Sequence, residues 1–208
     1  MKKALILDLD NTIYPVSSIA EHLFKHLFNV IDTNADDIDY QTLESIKYEL
    51  TRRPFHLVAD EFNLDPRLRN SCIELLNNLT YDFPMQTFDG YDHIKSIPLK
   101  KFLVTTGFTK LQWSKVKMLD IEHDFDEIHI VDFEIALKTK RDVFADIMKR
   151  HNYKPEDLLV IGDDPESEIK AANELGIDTF LFDPDNNHPD AVVTFKKHHL
   201  KDVLEHLS

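Results

Sequence analysis

The chain has 208 residues, enough for one sizeable core or for a domain carrying a smaller insert. Its 38 acidic against 24 basic side chains give a formal net charge of −14, and no basic run appears, which argues against nucleic-acid polymers and anionic membrane surfaces as partners. No apolar stretch approaches the ~20 residues of a membrane-spanning helix. The apolar start is broken at Asp8, too early for a signal peptide, and Cys72 is the single cysteine, so a reducing, cytoplasmic location is expected.

Ala4–Leu7 is a short apolar run bounded by charge, which fits a strand buried on both faces of a parallel sheet. Asp8 and Asp10 follow, separated by Leu9. The period of two places both carboxylates on one face at the strand's carboxyl end, the edge where open α/β sheets bind ligands. Two like charges there call for a cation or a shared proton.

From about residue 15 to 80 the pattern is helical and contains no glycine. Ser18 and Glu21 have capping-box spacing, and Ile19, Leu23, Leu27, Val30 and Ile31 recur at helical intervals. Further helices are expected at 36–52, 55–62 and 66–79, the last with Asp65 as N-cap and Pro66 in its first turn. This stretch reads as a helical unit inserted directly after the first strand. The aromatic residues Phe24, Phe28, Tyr48, Phe55 and Phe62 are expected to form its core.

A loop with Pro84 and Gly90 leads back, and strands then alternate with helices. Strands are expected at 102–104, 128–131, 158–161, 177–182 and 191–193, and helices near 109–119, 140–151, 166–175 and 199–207. Such alternation predicts βα units and a mostly parallel, doubly wound α/β sheet. Right-handed crossovers would bring all strand carboxyl ends to one edge. There Thr105, Thr106 and Gly107 end one strand, Gly162, Asp163 and Asp164 end another, and Lys138 and Glu168 lie in adjoining helical segments. Gly176 is expected to end a helix. The 11 histidines show no metal-site spacing and read as surface residues.

Together these segments resemble the haloacid dehalogenase superfamily. Asp8-Leu9-Asp10-Asn11-Thr12, then Thr105, then Lys138, then Gly162-Asp163-Asp164 correspond to its four motifs in order. Tyr14-Pro15 further resembles the subgroup containing pyrimidine 5′-nucleotidases. The resemblance implies a Rossmann-like catalytic core over 1–14 and 86–208 and a helical cap over 15–85. Two positions depart from the family pattern: Thr106 where asparagine is common, and Glu168 where aspartate is usual.

The implied activity is hydrolysis of a small phosphomonoester, a nucleoside monophosphate among the candidates. Phosphomonoesters repel an attacking carboxylate unless a cation neutralises them, and Mg²⁺ suits an oxygen donor set. The resemblance assigns Asp8 as nucleophile and metal ligand, and Asp10 as proton donor, then base, with its carbonyl on the metal. It places Asp163 on the metal, Asp164 and Glu168 behind it, and Thr105, Thr106, Gly107 and Lys138 at the phosphate. A phosphoryl-transferring sugar-phosphate mutase and a non-catalytic binding protein of the same fold are the alternatives. Oligomeric state is not encoded in any of these features.

Overall fold

The computed structural model describes residues 1–35 and 38–207. Six parallel strands form one sheet: β1 (Ala4–Leu7), β2 (Lys100–Thr106), β3 (Glu127–Val131), β4 (Leu158–Gly162), β5 (Asp178–Phe182) and β6 (Phe195–Lys197). Their order across the sheet is β3-β2-β1-β4-β5-β6. The order reverses between β1 and β4, so the chain leaves these two central strands in opposite directions. A crevice at the carboxyl ends follows from that topology.

The alternation of side chains along a strand explains why β1 is apolar throughout. Leu5 and Leu7 enter one buried cluster, with Tyr91 and Ile94 of α5 (Tyr91–Lys95), Leu111 and Val116 of α6 (Thr109–Met118), and Leu200 and Val203 of the C-terminal 3₁₀ segment. Ala4 and Ile6 enter another, with Phe144 and Ile147 of α7 (Lys140–His151) and Ala171 and Ala172 of α8 (Lys170–Glu174). The result is a sheet covered on both faces, with polar groups pushed to its edges.

Between β1 and α5 lie α1 (Ala20–Asn34), α2 (Tyr40–Leu50), α3 (Phe55–Glu61) and α4 (Pro66–Asn78). They enclose a third apolar cluster that includes Leu27, Ile31, Ile46, Val58, Leu68 and Cys72. Phe24, Leu79 and Phe108 pack against both this cluster and the sheet's own core, tying the two together. Among the described residues no helix is long and apolar enough to cross a membrane.

Local chemistry accounts for several departures from the sequence pattern. The Ser18–Glu21 capping box does not form: the Ser18 hydroxyl donates to the Pro15 carbonyl at 2.7 Å, and α1 starts at Ala20 without a side-chain cap. Residues 36 and 37, where the second helix was expected to begin, lie outside the described residues. Asp65 does cap α4, accepting from the Arg67 N–H at 2.8 Å. The expected strand at 191–193 is irregular, with Val192 exposed, and β6 forms two residues later, where Phe195 stacks on His206. The final helix is a 3₁₀ segment at Leu200–His206. The helix expected at 166–175 is a π-helical turn, Pro165–Ile169, followed by α8. Gly176 follows α8 with φ of +71°, the left-handed position that glycine takes most easily.

Phe144 has no exposed surface and joins α7 to the sheet. Phe144→Ala is expected to destabilise the protein by about 3–5 kcal/mol. The readout is a lowered urea midpoint at unchanged slope, and a loss below about 1 kcal/mol would mean that α7 is not held by this contact.

Candidate active site

The two central strands carry the acidic groups. Asp8 follows β1, and its N–H donates to the Ile161 carbonyl of β4 at 3.0 Å, so strand pairing fixes its height at the sheet edge. Asp163 follows β4 directly and accepts from the Thr12 hydroxyl at 2.9 Å. β1 ends at Leu7, however, and the chain then turns, with Asn11 at φ of +53°. Leu9 still joins the cluster of Leu5 and Leu7, and Asp8 and Asp10 line one cavity, but their carboxylates take different partners.

Lys140 is the buried cation beside Asp8. Its Nζ lies 2.7 Å from Asp8 Oδ1 and 2.7 Å from Glu168 Oε2, and the side chain is 7% exposed. Lys138, expected here from the sequence, is exposed in the loop before α7. Thr139 caps that helix in a capping box with Asp142, which leaves position 138 outside the helix and makes 140 its first residue. A sequence signal for this was present: Lys140, Phe144 and Ile147 are spaced as one helical face, and all three are buried.

Glu168 is 1% exposed. Its Oε1 accepts from the Asp164 N–H at 2.8 Å while Oε2 meets Lys140. Two devices bring it in. The π-helical turn is widened by the Ile169 N–H donating to the Asp164 carbonyl, five residues back. Gly162 supplies the space, because a Cβ there would lie 2.1 Å from Glu168 Oε1. The Asp164 carboxylate is turned to the Glu166 N–H at 2.9 Å and caps the turn.

Carboxylate oxygens of Asp8, Asp163 and Glu168 lie within 4.8 Å of one another. Glu168, expected behind the metal group, joins the cluster, while the Asp10 side chain, for which the family resemblance implies a proton-donor role with only the carbonyl on the metal, lies apart from it. Asp10 accepts from the Tyr14 hydroxyl, from Lys115 Nζ at 2.7 Å and from Gln112 Nε2 at 2.7 Å. Gln112 also donates to the Thr105 hydroxyl at 2.7 Å, linking Asp10 to the end of β2. Gln112 and Lys115 carried no sequence signal, since polar residues on an amphipathic helix read as its wet face. Thr106 is half-buried, and its carbonyl lies 3.3 Å from Gln112 Nε2. Gly107 has φ of +150°, and a Cβ there would lie 3.0 Å from the Gln112 side chain. Its N–H is already donated to the Val131 carbonyl at 3.1 Å, so Gly107 serves by shape and not as a free donor to phosphate.

The two aspartates are driven in opposite directions. Burial pushes the Asp8 carboxyl up to about 7, against the pull of Lys140 and with help from Glu168 and Asp10. Burial, then Glu168 and Asp8, raise Asp163 well above the carboxylate range. Burial would raise Asp10 too, but the Lys115 ammonium and the bonds from Lys115, Tyr14 and Gln112 outweigh it and hold Asp10 low. Three carboxylates facing the one Lys140 ammonium leave two negative charges unbalanced. Hard oxygen donors with that deficit fit a divalent cation such as Mg²⁺.

Above the cluster a cavity of about 190 Å³ opens toward the helical unit. Phe24 and Phe55 line it as well as packing into the helical core, so those two aromatics serve both purposes. Phe28 and Phe62 pack only against the helical cluster, and Tyr48 is exposed. His56 of α3 packs at a tilt against Phe133 of the loop after β3, with ring centroids 3.9 Å apart, and the two line one side.

Residues 2–176 match the family model of haloacid dehalogenase-like hydrolases. Among curated proteins, the glyceraldehyde 3-phosphate phosphatase of Methanocaldococcus jannaschii is 26% identical, with 86% of this chain and 84% of that protein covered. The protein of the same name from Pyrococcus furiosus is 24% identical, covering 86% and 80%. Among solved structures, a putative phosphatase from Clostridium difficile superposes with a TM-score of 0.74 at 15% identity, covering 100% of this chain and 99% of that one. The magnesium-bound hydrolase YfnB from Bacillus subtilis gives 0.68 at 19% identity, with the same coverage.

The raised Asp8 carboxyl has a consequence for stability. Between its ordinary value of 3.8 and about 7 the folded state binds a proton that the unfolded state has released. This contribution therefore falls as pH rises through that window. In metal-free protein, Asp8→Asn is expected to be more stable than wild type by at least about 1 kcal/mol at pH 8. The advantage should shrink toward pH 4, as read by thermal denaturation in chelator. An advantage absent at pH 8, or independent of pH, would show that Asp8 is not electrostatically strained.

Proposed function

The chain belongs to the haloacid dehalogenase-like hydrolases and is a phosphatase, and on that footing we propose that it hydrolyses a small phosphomonoester through a phosphoryl group carried on Asp8. One observation carries this reading: Asp8 is held between β1 and β4 with Lys140 against it and Asp163 and Glu168 alongside.

In the proposed reaction Asp8 Oδ attacks phosphorus, the bond to the ester oxygen breaks, and that oxygen takes a proton from Asp10. Water then attacks the same phosphorus and gives its proton to Asp10, the bond to Asp8 breaks, and phosphate leaves. Asp10 sits low in the free protein because of Lys115. A phosphate dianion arriving beside it opposes that pull and favours the proton Asp10 must carry. Lys140, not Lys138, balances charge on the phosphoryl oxygens, and the Thr105 hydroxyl and the β2 end hold them in place. Asp8, Asp163 and Glu168 would hold Mg²⁺, with the Asp10 carbonyl as a further donor by family pattern. When bound, the ion supplies charge neutralisation at the phosphoryl group. Asp164 orients the turn that carries Glu168.

For the substrate we favour a short sugar-type phosphate over a nucleoside monophosphate. The cavity of about 190 Å³ is small beside the ~300–1,000 Å³ typical of sites for larger ligands. The curated relatives named above point the same way.

Phosphate release is the decisive assay, with glyceraldehyde 3-phosphate, nucleoside monophosphates and an aryl phosphate as substrates, with and without Mg²⁺. The expectation is Mg²⁺-dependent release, with kcat/KM for the three-carbon phosphate at least about tenfold above that for any nucleotide. Transfer within a phosphorylated sugar with little net release would indicate a mutase instead. Binding without turnover would indicate a non-catalytic protein.

A further inference from the structure

Helix α6 buries two polar side chains where its spacing would accommodate apolar ones. Gln112 is 1% exposed and Lys115 is 4% exposed, three residues apart on the same face as Leu111 and Val116. Burying an amide and an ammonium is costly unless they are fully paired. Both are paired at one place, the Asp10 carboxylate: Lys115 Nζ on Oδ1 and Gln112 Nε2 on Oδ2, each at 2.7 Å. The second hydrogen of the Gln112 amide goes to Thr105 Oγ1 at 2.7 Å. Lys115 Nζ also lies 5.8 Å from the centre of the Tyr14 ring, whose hydroxyl donates to Asp10.

The helix that presents these groups is itself clamped. The N–H and hydroxyl of Thr109, its first residue, both donate to Asp132 Oδ2 at 2.8 Å, and Asp132 is buried in the loop after β3. Gly107 lets the chain pass close to Gln112 on entering α6. Asp10 lies in a turn beyond the end of β1, so the strand ladder does not fix its carboxylate. Without the α6 groups only the Tyr14 hydroxyl would hold that carboxylate apart from Asp8, Asp163 and Glu168.

We propose that Gln112 and Lys115 are positioning residues that hold the Asp10 carboxylate apart from the acidic cluster and aimed at the leaving oxygen, with Gln112 setting its distance from the Thr105 hydroxyl. The proposal rests on the reading of Asp10 as proton donor. At the site Lys115 acts through Asp10 alone, whereas Gln112 also holds the Thr105 hydroxyl, so the loss of Lys115 above all should be felt where a leaving group needs a proton.

The test compares Gln112→Met, Lys115→Met, Asp10→Asn and the double variant Asp10→Asn/Lys115→Met on an alkyl and an aryl phosphate. Lys115→Met should lose about 10–100-fold in kcat on the alkyl ester with KM unchanged, and far less on the aryl ester, whose leaving group departs without a proton. Gln112→Met should also lose more on the alkyl ester than on the aryl ester, with a further loss on both through Thr105. The double variant should be no slower than Asp10→Asn, because the effects act as one unit. Lys115→Arg, which keeps the charge, should recover part of the loss and guards against a folding defect in Lys115→Met. Equal losses on both esters in Lys115→Met, or a double variant slower by the product of the single losses, would overturn the proposal. If Asp10→Asn itself shows no difference between the esters, the proton-donor reading fails first, and the positioning role goes with it.

Discussion

The structure turns on one buried ammonium. Lys140 Nζ touches Asp8 and Glu168, and all three side chains are nearly inaccessible to water. Charges so placed are tolerated only when paired, and removing the shared ammonium, which would leave the carboxylates without a cation, costs roughly 3–5 kcal/mol. Several features that look unrelated serve this contact. The capping box at Thr139 starts α7 so that position 140 faces inward. The π-helical turn swings Glu168 back, and Gly162 omits the side chain that would block it. Pairing of β1 with β4 brings Asp8 within reach of both.

A single ammonium does not satisfy the site. Asp163 adds a third carboxylate, and burial, helped by the neighbouring carboxylates, raises both Asp8 and Asp163. The strain is useful in a site meant to receive a cation and a phosphate, since each contributes stabilisation that the free protein lacks. Two residues on, Asp10 is held in the opposite condition by Lys115. Separating two carboxylates by environment is how one site can provide both a nucleophile and a proton carrier. In this protein the separation is made by two helices: α7 supplies the cation for Asp8, and α6 supplies the cation for Asp10.

Much of this was legible in the sequence where periodicity was strong or a residue type was rare. The doubly wound sheet follows from short apolar runs alternating with helices, and the helical unit from a long glycine-free stretch with apolar periodicity. The acids at the ends of β1 and β4 stood out because charge rarely follows an apolar run so abruptly. The choice of lysine needed the helix register: 140 shares a face with Phe144 and Ile147, while 138 precedes the cap. Gln112 and Lys115 were illegible because their burial depends on Asp10, 102 and 105 residues away in sequence. Glu168 could be noticed, but its entry into the acidic cluster depended on a π-helical turn that spacing does not encode.

The most direct measurement is the location of the phosphoryl group during turnover. The enzyme is acid-quenched while hydrolysing a phosphomonoester in Mg²⁺, digested, and mapped by peptide mass, alongside Lys140→Met and Lys138→Met. The expected result is one phosphoryl group on the peptide containing Asp8 in the wild type and in Lys138→Met, with none in Lys140→Met. A phosphoryl group on another peptide, or one that persists in Lys140→Met and disappears in Lys138→Met, would contradict the central role of the Asp8–Lys140–Glu168 contact.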